Sequence, residues 1–383
     1  MKAVREFFES RAGLVSAWRH FADEKVPVRR AWLFTLGSVA LMAFLVQLLT
    51  GLVLAVAYAP TPDHAHESVK AIETKLAGGS LVRGLHHWGA SAMVVAVVLH
   101  LLRTFFFGAY KKPRELNWIV GVILLLVVLG FGFTGYLLPW DQKAYWATVV
   151  GTKTPEALPI LGPASSKLMA GGSAVGAYTL TRFYTLHVVL LPLLALGLVG
   201  AHLLLLRRHG HAGPTTGPDP REPFFPYQFA RDAVAGLLVV LALFWLAARY
   251  PAPLERLADP SDTSYTPRPE WYFLPLFQLL KYFKGPFEPV GTAILPGAAV
   301  GLLVFLPWID RAKERRPARR KGILVAGSAG VAVTLLLLFL GAADAPKKAP
   351  PSAFDAAPEP PVDPAIFGGA VAFERRGCAS CHG

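Results

Sequence analysis

Four histidines stand in long apolar runs, where a polar side chain is costly and each needs a reason. His86 and His100 are fourteen residues apart, His187 and His202 fifteen. At about 100° per residue the first step returns to within about 40° of one helix face, and the second to within about 60°. Each pair spans roughly 21–22 Å along its helix. His87, thirteen residues before His100, falls close to the opposite face and reads as a partner in an interhelical hydrogen bond. Imidazole is the commonest metal ligand among side chains, so two matched pairs suggest two metal sites stacked along a bundle.

The elements that must carry these histidines are membrane spans. Apolar residues make up 54% of the 383-residue chain and charged residues 16%, against about 25% in soluble domains. Uncharged runs of roughly 20 residues, the length that crosses hydrocarbon, predict helices near 32–58, 84–107, 116–138, 180–206, 231–249, 290–309 and 322–343. The chain reads as an all-α membrane protein of seven transmembrane helices. A four-helix block (32–210) precedes a three-helix block (211–343), with a Gly/Pro/His-rich connection near 207–230. Residues 1–31 begin with an amphipathic surface segment carrying Phe7, Phe8, Leu14, Val15 and Trp18 among charges, without the apolar core of a cleavable signal peptide. Residues 344–366 form a Pro/Ala-rich linker.

Loop charge gives an orientation. The N-terminal segment and the second, fourth and sixth connections, counting Arg231 and Asp232, carry 21 Lys/Arg against 10 Asp/Glu; the other connections and the tail, counting Arg249, carry 15 of each. Lys/Arg excess marks the cytoplasmic side, which predicts an inside N-terminus and an outside tail in a bacterial inner membrane. The net charge of +13 thus reports topology and gives no reason to invoke nucleic acid. The cluster 311–321 reads as a juxtamembrane anchor in contact with anionic lipid.

The second and fourth spans run in the same direction, so His86 meets His187 near the outer face and His100 meets His202 near the inner face. Two bis-histidine sites stacked across a membrane fit two b-type haems, whose irons accept two axial imidazoles. Zinc would more readily add carboxylates or thiolates. Gly37 and Gly51 on the first span and Gly121 and Gly135 on the third are again fourteen apart. They could clear space for a flat macrocycle or simply pack helices. Arg83 and Arg103 flank the histidines of the second span, as partners for haem propionates or as snorkelling anchors.

The only cysteines, Cys378 and Cys381, precede His382 in the CxxCH spacing of a covalent c-type haem. Residues 367–383 read as the start of a cytochrome c-like domain whose remainder is truncated; a minimal haem site, a metal clip or a chance pair of cysteines are the other readings.

The segments Arg83–His87, Lys111–Leu116 (KKPREL), Gly135–Gln142 (GYLLPWDQ) and Thr181–His187 (TRFYTLH) resemble cytochrome b of bc-type complexes. The fifteen-residue histidine spacing is similar to the b6 kind, and Pro251–Pro260 (PAPLERLADP) with Pro269–Tyr272 (PEWY) resembles the separate subunit IV, here fused in one chain. The resemblance implies a quinol–cytochrome c oxidoreductase of the translocase type. Quinol is oxidised at an outer site, electrons pass through the two b haems, and quinone is reduced at an inner site. It implies a Rieske iron–sulfur protein and a c-type cytochrome as partners, in a homodimeric complex. Glu270 is the natural proton acceptor for quinol, in a setting expected to be apolar, with Pro269 and Trp271 shielding it and Tyr136 and Tyr272 as neighbours. Arg207, Asp232 and His20 are the candidates for the inner quinone site. Two departures from the pattern stand out. Thr35 replaces the cysteine that anchors an additional haem in the b6 kind, and His20 replaces an acidic residue near the end of the surface helix. A di-haem anchor of another oxidoreductase would share the histidines without needing Pro269–Tyr272. A haem-free transporter with a histidine-lined proton path would need neither that loop nor the matched glycines.

Overall fold

A computed structural model describes residues 2–157, 162–213, 215–262 and 264–345; the Cys378–His382 motif, the linker from 346 onward and the cytochrome c-like start lie outside these residues. Two short helices, α1 (Lys2–Ala12) and α2 (Leu14–Ala22), form the expected amphipathic entry. The first block then runs through α3 (Thr35–Ala57), α4 (Pro62–Thr74), α5 (Gly79–Phe106), α6 (Glu115–Tyr136), α7 (Gln142–Lys153), α8 (Gly162–Ala170) and α9 (Ala177–His209). The second comprises α10 (Phe229–Arg249), α11 (Leu274–Leu280), α12 (Gly285–Ile309) and α13 (Lys321–Ala343). Seven of these helices are long and apolar enough to span a membrane, and all seven overlap the predicted spans. Large apolar side chains such as Val56, Leu204, Val325 and Phe339 point outward, as lipid-facing residues do.

Helices α3, α5, α6 and α9 form the four-helix bundle. Its central core takes Ala43 and Phe44 from α3, Met93 and Val94 from α5, Val127 and Val128 from α6, and Ala195 from α9. Each of these lies midway along its helix between the two histidine or glycine positions, so the core plugs the bundle centre and leaves one space above and one below.

Helix α9 is not uniform. Leu186–Leu190 forms a π turn, with the Leu191 N–H donating to Leu186 O five residues back. Pro192 supplies the cause: it has no N–H to continue the regular ladder. A π turn accommodates one additional residue. It therefore takes up the fifteenth residue between His187 and His202 and brings both to one face, a local device rather than the helix tilt that the 60° offset invites.

Residues 58–78, 137–157, 162–176, 250–262 and 264–284 cap one end of the bundle, the face of balanced charge. The other end, the basic face, carries the N-terminal segment, whose strand β1 (Lys25–Pro27) pairs antiparallel with β2 (Arg221–Pro223). There the two blocks are fastened by buried charge. Lys111 Nζ donates to Asp310 Oδ1 at 2.6 Å, while Tyr110 OH and Arg320 Nε donate to Asp310 Oδ2 at 2.6 and 2.9 Å. Arg320 also donates to the carbonyls of Phe105 and Phe106. Its side chain is 1% exposed, so this member of the 311–321 cluster is a structural tie rather than a headgroup anchor. The KKPREL segment is explained in the same way, since Arg114 donates to the carbonyls of His209 and Gly210.

Burial pushes the Asp310 carboxyl up, but hydrogen bonds from Lys111, Tyr110 and Arg320 outweigh it and hold the group below the usual carboxylate range. A lowered folded-state value means stability that is present above the unfolded value, about 3.9, and lost as pH falls through the folded one. Asp310→Asn leaves two buried cations without their counter-charge and is expected to cost about 3–5 kcal/mol. A lowered thermal midpoint in detergent, followed by circular dichroism, checks this; an unchanged midpoint would remove Asp310 from the joint.

Candidate functional site

On the balanced-charge side of the core, α5 and α9 bring the rings of His86 and His187 to 6.2 Å between centroids. On the basic side, His100 and His202 stand at 6.3 Å. A single metal ion bonded to two imidazoles at about 2 Å places their ring centres about 6 Å apart. Both gaps therefore have the width that a metal ion held by the two imidazoles would need.

The glycines face these same rings. A Cβ added at Gly51 would lie 3.2 Å from His86 Cε1, and one at Gly37 3.2 Å from His100 Cε1. On the opposite wall, a Cβ at Gly121 would approach His202 Cε1 to 3.3 Å, and one at Gly135 would clash with His187 Cε1 at 2.4 Å. Four glycines thus pair one-to-one with four histidines, and any side chain there would fill the space beside a ring. A flat macrocycle held edge-on between helices needs that space.

The flanking arginines differ. Arg83 Nη1 is bound by Glu73 Oε2 at 2.9 Å and by Ala252 O at 2.8 Å, and Nη2 by Pro253 O. It ties the end of α10 to the bundle, although it also borders the cavity beside His86. Arg103 lies over the rings of Phe34 and Phe107, with its buried Nε and Nη2 lacking any hydrogen-bond partner among the described residues. A buried cation with unused donors fits an anionic group such as a propionate.

One cavity of about 330 Å³ joins the His86–His187 gap to the 250–284 loop. Its walls include Gly51, Gly135, Tyr136, Lys143, Glu270 and Tyr272. The loop is positioned by its neighbours. Tyr136 OH donates to Arg268 O at 3.0 Å, and Trp271 Nε1 donates to Ser91 Oγ at 3.1 Å. Asp141 of the GYLLPWDQ segment caps α7 through Ala144 N and accepts from Glu255 N in the PAPLERL segment. The two motifs thus bind one another across the blocks.

Three features of this site differ from expectation. Glu270 is not in an apolar setting: Lys143 Nζ sits 2.6 Å from its Oε1, with both side chains about a quarter exposed. Trp271 is 36% exposed and anchors the loop without covering the carboxylate. His87 makes no interhelical hydrogen bond among the described contacts; its ring packs on Trp88 and borders the same cavity. Tyr272 packs against the bundle core, and burial raises its phenol well above the usual value, keeping it neutral.

On the basic face, Arg207 pairs with Glu24 and lies over the rings of Phe21 and Phe224. His211 Nδ1 is 3.2 Å from Glu24 Oε1, and burial with nearby Arg103 and Arg207 pushes this imidazole down to about 4, hence neutral. Asp232 accepts from Gln228 Nε2 at 2.9 Å. His20 is exposed on α2 and is not drawn into this cluster; the acidic residue that joins it is Glu24, four positions on. Glu24, His211 and Lys143 are the residues that sequence reasoning missed. The only signal for Lys143 was its place one residue after GYLLPWDQ, on the same face as Glu270.

The family described as Cytochrome b/b6/petB matches residues 21–210, and that described as Cytochrome b(C-terminal)/b6/petD matches residues 257–353. A cytochrome b from Rickettsia bellii is 35% identical over 349 residues, covering 88% of this chain and 86% of its own length. The chain belongs to the cytochrome b/b6 family. This cytochrome b is also 46% identical over 222 residues to a menaquinol:cytochrome c reductase cytochrome b subunit from Geobacillus thermodenitrificans, covering 56% of the present chain and 99% of that one. A chain of a hyperthermophilic respiratory Complex III superposes with a TM-score of 0.80 at 28% identity, covering 91% of this chain and 92% of that one. The cytochrome b described here is accordingly the cytochrome b subunit of a bc-type complex, a quinol–cytochrome c oxidoreductase.

Proposed function

We propose that His86 with His187 and His100 with His202 hold two b-type haems, that the cavity at Glu270 oxidises quinol, and that the Arg207 cluster reduces quinone. Held there, the haems supply one-electron carriers on the two sides of the bundle core. The observation that carries the reading is the single cavity linking one imidazole pair to Glu270. Quinol oxidation releases two protons, and a base must stand beside the substrate to take them. Of the three carboxylates on that cavity's wall, Asp141 is taken up by the N–H groups of Ala144 and Glu255, and Glu255 accepts from Tyr265 OH. Glu270 pairs with Lys143, which keeps it aimed at the rim, where an accepted proton can leave to solvent. Tyr136 and Tyr272 shape the wall rather than exchange protons, since the first is held by a carbonyl and the second is packed into the core.

On the basic face Arg207 offers a cation to a quinone carbonyl, and Asp232 and the Glu24–His211 pair are groups through which protons can enter. Arg103 takes a propionate of the haem between His100 and His202. Loop charge orients the basic face inward and the Glu270 cavity outward. The named relative from Geobacillus points to menaquinol as the substrate. A Rieske protein and a c-type cytochrome complete the path in a homodimeric complex, and Cys378, Cys381 and His382 attach a covalent c-type haem at the outer end. Potentiometric absorption spectroscopy of the purified complex tests the core of this reading. Two b-type components with separate midpoints are expected, and a preparation active as a quinol–cytochrome c reductase without them would overturn it.

A further inference from the structure

Two buried threonines touch one histidine pair and have no counterparts at the other. Thr50 Oγ1 is 3.0 Å from His86 Nδ1, and Thr134 Oγ1 is 3.1 Å from His187 Nδ1. Each hydroxyl also lies against a carbonyl one turn back in its own helix, Val46 O at 2.6 Å for Thr50 and Gly130 O at 2.8 Å for Thr134. A hydroxyl has one proton to give. With that proton directed to the helix carbonyl, each threonine presents a lone pair to the imidazole, so Nδ1 must carry the ring proton and Nε2 is left with a free lone pair. The two contacts are built alike. Thr50 directly precedes Gly51 on α3, Thr134 directly precedes Gly135 on α6, and both threonines are buried. Before Gly37 and Gly121 stand Leu36 and Val120, and among the described residues no hydroxyl reaches His100 or His202.

We propose that Thr50 and Thr134 are positioning residues that fix the tautomer of the His86–His187 pair and lower the reduction potential of the haem it holds relative to the other. This rests on the reading that both pairs hold haem. The physical basis is the outer-shell hydrogen bond: a ligand imidazole that donates Nδ1–H to an oxygen becomes more basic at Nε2. A more basic ligand favours the oxidised, more positive metal. The His86–His187 pair has this bond from a hydroxyl on both sides; at the other pair His202 faces the carbonyl of Asn117 and, among the described residues, neither ring meets a hydroxyl, so the asymmetry in hydroxyl contacts is written into two positions of α3 and two of α6. Its sense suits the site, because the pair beside the quinol cavity is the one given the lower potential.

The test is potentiometry on the intact complex, with each haem assigned by its loss in His86→Ala or His202→Ala. Thr50→Val and Thr134→Val, which keep shape and lose the hydroxyl, are each expected to raise the midpoint of the His86–His187 haem and to add in the double variant. The other haem should stay put. Thr50→Ser should retain the wild-type midpoint. Val120→Thr, at the matching place beside the second pair, should lower the midpoint of the His100–His202 haem and gives an independent reading if the valine variants lose haem. Two b-type haems with unmoved midpoints in the valine variants and in Val120→Thr would overturn the inference while leaving the haem assignment intact. Absence of two b-type haems from the wild-type complex would overturn both.

Discussion

His86→Ala is expected to yield a complex with one b-type haem where the parent has two, and His202→Ala to remove the other. The two spaces are separated by the packed core of Ala43, Phe44, Met93, Val94, Val127, Val128 and Ala195, so emptying one need not disturb the other. Alanine removes the ring that closes a 6.2 Å gap and leaves His187 facing a hole, with no second side chain to complete the axial pair. Haem content by pyridine haemochrome, together with reduced-minus-oxidised spectra, reads the result directly. A complex that keeps both haems in both variants would show that these imidazoles are not the ligands.

Glu270→Gln should keep both haems and lose most quinol oxidation. Glutamine has the shape of the carboxylate and can still accept from Lys143 Nζ, so the loop should stay in place; it cannot take up a proton. Loss of a positioned base typically lowers a rate by about 10²–10⁴-fold, and a fall of about 10² or more is expected here. Steady-state reduction of cytochrome c by a quinol analogue measures it, with the spectra serving as the control for folding. Turnover at the parent rate would move the proton acceptor elsewhere in the cavity, where His87 and Glu255 are further titratable groups on the wall.

Much of this was legible in the sequence because the bilayer imposes long, local signals. Seven apolar runs of a membrane's thickness reveal seven helices whatever their packing. The histidine and glycine spacings could be read because each pair lies on a single helix, where rotation per residue is fixed. What lay hidden depends on where distant segments meet. The π turn at Leu186–Leu190 has its cause in Pro192, but its effect shows only when His187 and His202 are seen on one face. Lys143 and Glu270 are 127 positions apart, and their pairing follows from the docking of the 137–176 segment against the 250–284 loop. Arg83 looked like a propionate partner from its place beside His86, yet Glu73 and two carbonyls of the following block occupy it. Glu24 was overlooked because surface-helix register, unlike that of a span, is not pinned by hydrocarbon thickness. The Thr–Gly doublets at 50–51 and 134–135 were visible as letters; their meaning needed the hydroxyl's second neighbour, the carbonyl one turn back.

The buried Asp310 knot, the seam between Asp141 and the 250–258 stretch, and the packing of Ala247 on Gly84 fasten the two blocks side chain to side chain and backbone to backbone. None of these bonds runs through the peptide between 214 and 218. Covalent continuity there is redundant, and a gene split at that point would still yield two polypeptides that find each other in the bilayer. The Geobacillus relative, 99% of which aligns with only 56% of this chain, has about the length of one such product. Whether this architecture is encoded as one reading frame or two is then a matter of genetic bookkeeping, to which the assembled bundle is indifferent.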